Sequence, residues 1–143
     1  MKFQRDLQKN GFAIIRKALN RKEFKRIVGM DLKNCLEYCC TNHKVRHYFT
    51  LLYDDIDVCF DKGLLQQKYR VSENRYIWPN YYFQGLLFVY NCPQTFINGK
   101  YYSFAPGDLI FVDPKLPIDV DEFVLELPLK PAQSFAPENY CPE

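Results

Sequence analysis

The apolar residues of this chain change their spacing part-way along it. Phe24, Ile27, Val28, Leu32, Cys35, Leu36 and Cys39 recur mostly at steps of three and four, the period of one helical face. Asn20, with Glu23 three residues on, predicts a capping box in front of them. One amphipathic helix is therefore expected over about Arg21 to Cys40, with Lys22, Lys25, Arg26 and Lys33 on or beside its wet face. Gly29 is expected to weaken that helix without breaking it. Ahead of it, Leu7 to Asn10 read as the end of a helical turn stopped by Gly11. Phe12 to Ile15 read as a short apolar strand.

Further on the runs are short and strand-like. Tyr48 to Tyr53 reads as a strand, and Ile56 to Phe60 alternates apolar with polar. Leu64 to Tyr69 fits strand and helix alike. Phe83 to Tyr90 is a strong apolar strand. Asn98-Gly99 between Thr95-Phe96-Ile97 and Lys100 to Phe104 is a type I′ hairpin signal. Pro106-Gly107-Asp108 is a turn, because Pro presets φ and Gly permits φ > 0. Leu109 to Val112 is a continuous apolar run, as in a strand covered on both faces. Phe123 to Leu127 is the last strand, and the proline-bearing tail from Pro128 reads as an extended wrap or a loose end. The outline is a single α+β domain over residues 1–143. About 1–48 form a helical layer, 49–130 an antiparallel β-core and 131–143 an extended tail.

Composition narrows the class of protein. A chain of 143 residues with 48% hydrophobic and 25% charged residues has the make-up of one globular domain, not of a disordered segment. A net charge of +2 is too small to imply nucleic acid by itself. No apolar run has the length of a membrane span, so no membrane association is expected. The six cysteines come with no apolar leader at the N-terminus. They are expected to be reduced thiols of an intracellular protein, in cytoplasm or nucleus, with no disulfide among Cys35, Cys39, Cys40, Cys59, Cys92 and Cys141. The richness in Lys, Asn, Tyr and Phe fits an AT-rich genome such as that of a large DNA virus.

Three constellations carry candidate chemistry. Asp55 and Asp57 are a carboxylate pair able to hold a hard cation, and equally a solvated turn beside a strand. Cys35, Cys39, His43 and His47 recur every four residues. A straight helix would spread them over about 18 Å, too far for one tetrahedral ion. A break near Thr41-Asn42 would let Cys39 or Cys40 join His43 and His47 around zinc. The plainer alternative is that these cysteines continue the core face. Third, Lys68-Tyr69-Arg70, Arg75, Tyr76, Trp78 and Tyr81-Tyr82 interleave cations with aromatics. Such a mixture serves single-stranded nucleic acid or a protein partner. With so small a net charge, Arg75, Tyr76, Trp78 and Tyr81 are expected to form a protein-binding patch. The chain carries no phosphate-binding Gly-rich loop, no Gly-x-Ser-x-Gly elbow and no His-Glu-x-x-His helix.

Two segments together resemble a known family. Asn10-Gly11-Phe12-Ala13-Ile14-Ile15, then Ala18-Leu19-Asn20 and a long helix, is similar to the start of phytanoyl-CoA-hydroxylase-like proteins. Tyr102 to Val120, with Pro106-Gly107-Asp108, Leu109 to Val112, Pro114 and Leu116-Pro117, resembles late strands of their double-stranded β-helix. That is the jelly-roll, cupin-like fold of the Fe(II)/2-oxoglutarate dioxygenases. The resemblance implies a helix and strand packed on such a β-helix. It implies a two-His, one-carboxylate iron site, with the distal His at Ile118, the proximal His-x-Asp at Asp55-Ile56-Asp57, and a cosubstrate anchor near Lys130. Ile118 has no donor atom and Asp55 stands where His belongs. The expectation is therefore a non-catalytic double-stranded β-helix protein, binding no cofactor and acting as a protein-binding or structural module. Ile118 should pack inward, with Phe111 or Phe123 as neighbours. Two alternatives remain: an oxygenase with substituted ligands that uses Fe(II) and 2-oxoglutarate, and a small single-stranded nucleic-acid-binding protein.

Overall fold

The structure is a computed structural model and describes residues 2–52, 58–60, 84–113, 116–120, 124–127 and 129–131. Four helices come first: α1 (Lys2–Asn10), α2 (Arg21–Ile27), α3 (Leu32–Thr41) and α4 (His43–Leu52), with strand β1 (Phe12–Ile15) between α1 and α2. The remaining strands are β2 (Val58–Phe60), β3 (Gln84–Phe88), β4 (Cys92–Ile97), β5 (Lys100–Phe104), β6 (Leu109–Val112), β7 (Ile118–Asp119), β8 (Val124–Leu127) and β9 (Leu129–Pro131). All pair antiparallel, in sheets ordered β1-β6-β3-β8, β5-β4-β7 and β2-β9. The architecture is α+β.

The four-stranded sheet is a middle layer. On one face Ala13, Leu87, Leu109, Phe111, Leu125 and Leu127 meet the helices through Leu36, Cys39, Val45 and Phe49. On the other, Phe12, Leu86, Phe88, Ile110, Val112 and Val124 meet the three-stranded sheet through Cys92, Ile97, Phe104 and Ile118. Alternation along a strand sends neighbours to opposite faces, and here both faces are dry. That is why Leu109–Val112 and Val124–Leu127 are buried at every position. The interior strand β6 is the one that its unbroken apolar run predicts. Where α4 crosses the sheet, Gly85 leaves the room: a Cβ there would lie 2.4 Å from the tip of the Phe49 ring. Phe49 then packs edge-on against Phe111, ring centres 4.9 Å apart.

Several boundaries differ from the sequence expectation. The long helix over Arg21 to Cys40 is two helices. Gly29 takes φ +89° just after the extended C-cap Val28, and Asp31 caps α3 by accepting from the Asn34 amide. A left-handed glycine past a helix end, followed by a new cap, is a full stop. It was masked because the apolar stripe resumes in phase at Leu32. Tyr48 to Leu52 is helical rather than a strand, so the helical layer runs to Leu52. The buried residues Val45, Phe49 and Leu52 keep the helical period, which outweighs the strand preference of Tyr, Phe and Thr. Asn42 starts that helix by accepting from the amides of Lys44 and Val45. The first helix starts at Lys2 and is longer than the turn expected at Leu7 to Asn10. The strand expected over Phe83 to Tyr90 is described over Gln84–Phe88, and Leu129–Pro131, where the expected β-core meets the extended tail, pairs with β2. The hairpin is as expected: Ile97 faces Lys100 across Asn98 (φ +46°) and Gly99 (φ +91°), the left-handed pair of a type I′ turn.

Candidate binding site

Two corners flank α2, and they differ in chemistry. At its N-terminal side the chain from Arg16 to Asn20 lies on the Pro106-Gly107-Asp108 turn. Leu19 donates its amide to the Gly107 carbonyl at 3.1 Å. The buried Asp108 carboxylate accepts from the amides of Lys17 and Ala105, each at 2.9 Å, and from Arg16 Nη1 at 3.1 Å. Arg16 also donates to the Ser103 carbonyl, and its guanidinium lies 4.8 Å from the centre of the Phe104 ring. The bond to Ala105 is local to the turn. Arg16, 92 residues away, was not foreseen. Asn20 and Glu23 form the expected capping box, and Glu23 also receives Asn42 and Lys44 of the last helix. Burial opposes ionisation of Glu23, but hydrogen bonds from Lys44, Asn20 and Asn42 outweigh it and hold its pKa down at about 2.

At the C-terminal side of α2 the polar partners give way to apolar surface. A groove of about 660 Å³ opens there, with Phe24, Ile27 and Val28 on one wall and Val89, Tyr90 and Leu125 on the other. Met30 and Leu32 form its end, and Cys35 reaches its floor. Among the described residues no charged side chain lines it. Val28 is 66% exposed, and Met30 and Tyr90 are about two-fifths exposed (39% and 41%), so large apolar side chains stand open to water at the rim. A volume of this size lies within the range, about 300–1,000 Å³, of ligand-binding clefts. The signal in the sequence was Val28-Gly29-Met30, two apolar residues around a helix-ending glycine.

The layer between the two larger sheets is where the family resemblance would place an iron site. Ile118 is 7% exposed and packs there among apolar residues, as expected. Phe111 is not its neighbour, because β6 alternation turns Phe111 towards the helices. Phe123 lies outside the described residues. Glu126, fully enclosed, shares the face of Val124 by alternation and therefore points into this layer. Thr95 does the same from β4, two residues from Ile97, and its buried hydroxyl has no hydrogen-bond partner among the described residues. Among the described residues the layer offers this carboxylate, this hydroxyl and the Cys92 thiol but no imidazole, which is not the nitrogen-and-carboxylate donor set that Fe(II) prefers. Among the described residues no group of three or more His, Cys, Asp or Glu is placed to share a metal ion.

The zinc arrangement is not assembled either. The break at Asn42 is real, yet Cys39 and Cys40 face the core while His43 and His47 stand on the exposed side of α4. Cys39 is pushed up by its hydrogen bond with Cys35 and by burial, and burial pushes Cys40 up to about 12. Both remain thiols near neutral pH and behave as core residues. Cys35 and Cys92 are thiols too. Asp113 and Asp119 sit at strand ends, Asp113 donating its amide to the Gly11 carbonyl. The candidates Asp55, Asp57, Arg75, Tyr76, Trp78 and Tyr81 lie outside the described residues, as do Cys59 and Lys130 in their side chains. No helix among the described residues is long and apolar enough to cross a membrane. The chain matches no protein-family model, no curated protein and no solved structure.

Proposed function

We propose that this chain is a non-catalytic protein-binding module built on a double-stranded β-helix of the dioxygenase and cupin type. The observation that carries the binding role is the open apolar groove beside α2, with Val28, Met30 and Tyr90 exposed around it. Such surface is costly to leave in water, and apolar patches rimmed by polar residues mark sites where another molecule sits. Two observations support the frame and the lack of catalysis. Antiparallel sheets pack face to face through one apolar cluster, and Ile118 fills the layer at the position where the resemblance calls for a metal-binding His.

A photo-crosslinking residue placed at position 28, with position 37 on the exposed side of α3 as control, tests the binding role in cells. Discrete protein adducts at 28 and not at 37 are the expected result. Adducts equal at the two positions would sink it.

The rival reading, an oxygenase with substituted ligands, has one observation in its favour: the enclosed Glu126 carboxylate facing the inter-sheet layer. Anaerobic calorimetry with Fe(II) and 2-oxoglutarate, and succinate release in air, separates the two. Stoichiometric metal uptake lost in Glu126→Gln or Asp57→Ala, together with succinate, would establish the enzyme.

A further inference from the structure

We propose that the groove receives an acidic segment of a partner protein that carries bulky apolar anchors. This rests on the protein-binding reading above and adds the chemistry of the partner.

Three observations lead to it. The first is charge. Arg21, Phe24, Lys25 and Val28 are spaced i, i+3, i+4 and i+7, so the two cations share a helix face with two residues of the groove wall. Arg21, Lys22, Lys25 and Arg26 are all exposed. The single acid of α2, Glu23, is already ion-paired to Lys44. Asp31, at the far end of the corner, is occupied as the cap of α3. Among the described residues an approaching segment therefore meets exposed positive charge with no acidic partner, next to a recess without charge, and acidic residues flanking apolar anchors match it.

The second is shape. Ile27 and Leu125 are recessed at 5% and 2% exposure, while Val28 and Tyr90 stand at the rim. A concave recess accepts side chains from a partner. The third is that no described residue of the lining is charged, so none of them would pair with a polar head group inside the groove.

The test is selection of a random peptide library displayed on phage against the immobilised full chain. A synthetic copy of an enriched peptide is then titrated against variants. The expected peptides are rich in Asp and Glu with large apolar residues among them. Their affinity should fall about tenfold or more in Val28→Glu, as at an interface anchor. It should also fall in the Arg21→Glu/Lys25→Glu pair and with added salt, because the flanking contacts are ionic. Lys100→Glu, at the tip of the distant hairpin, should leave it unchanged. As a second readout, bound peptide should slow alkylation of Cys35 in the native protein.

Enriched peptides that are neutral or basic, yet still lost in Val28→Glu, would overturn the acidic partner and leave the groove as a protein-binding site. Peptides indifferent to Val28→Glu, or no enrichment at all, would overturn both. Sedimentation of the chain with phosphatidylcholine–phosphatidylserine vesicles that is lost in Val28→Glu would replace the protein partner by a membrane. Self-association lost in Val28→Glu would replace it by a second copy of the chain. Either outcome overturns the proposal. Unfolding curves for each variant separate lost binding from lost folding.

Discussion

The two corners that flank α2 both turn on a left-handed glycine, and there the likeness ends. Gly107 (φ +97°) lies against the segment before α2, so that a Cβ there would sit 2.4 Å from the Leu19 carbonyl oxygen. Around it, Asp108, Arg16, Lys17 and Ala105 satisfy one another. Gly29 (φ +89°) has nothing among the described residues within 4 Å of the same imagined atom, and its neighbours Val28 and Met30 face water. One corner joins the N-terminal segment to the β-core. The other leaves apolar surface unused by the fold. A corner that stability does not need is where binding can be placed without loss to the core.

The same substitution in both corners gives the sharpest contrast. Gly107→Ala adds a steric clash to an unfavourable backbone, and the expected loss is about 3 kcal/mol or more, since left-handed residues alone cost roughly 1–3 kcal/mol. Gly29→Ala meets only the backbone term, so about 1 kcal/mol is expected. Urea unfolding of the two variants measures both, and equal losses would break the contrast. Asp108→Ala should follow closely behind Gly107→Ala. It strips acceptors from two amides and a guanidinium at a buried site, and about 2–3 kcal/mol is expected.

Glu23 tests the ties that α2 makes away from the groove. Its pKa is lowered from 4.5 to about 2 in the folded protein, so the unfolded chain takes up the proton first as pH falls. Its contribution is fully present above about pH 4.5 and is lost as pH falls through about 2. Glu23→Gln should therefore flatten the fall in stability between those values, read from unfolding at a series of pH. An unchanged slope would mean that the bonds Glu23 receives from Lys44, Asn20 and Asn42 together contribute nothing. The smallest effect is expected at the open corner itself. Val28→Glu should change stability by no more than about 0.5 kcal/mol, as for other exposed positions. A loss of 2 kcal/mol there would make the groove part of the core.

What could be read along the chain were features whose cause is local. The capping box at Asn20 and Glu23, the Asn98-Gly99 hairpin and the glycine turn before Leu109 each depend on a few neighbouring residues and their dihedral preferences. Strands β1 and β6 were legible because a short apolar run between breakers has few other options.

Tertiary structure decided the rest. The stop at Gly29 was hidden by an apolar stripe that resumes in phase at Leu32, and α4 replaced a strand because Phe49 has a place against Gly85 and Phe111. Pairing of Arg16 with Asp108 depends on two segments 92 residues apart coming together. The groove is likewise built from α2, the start of α3, the residues just after β3, and β8. Spacing along the sequence cannot specify such a surface, because its shape depends on how those elements pack on the middle sheet rather than on any one of them.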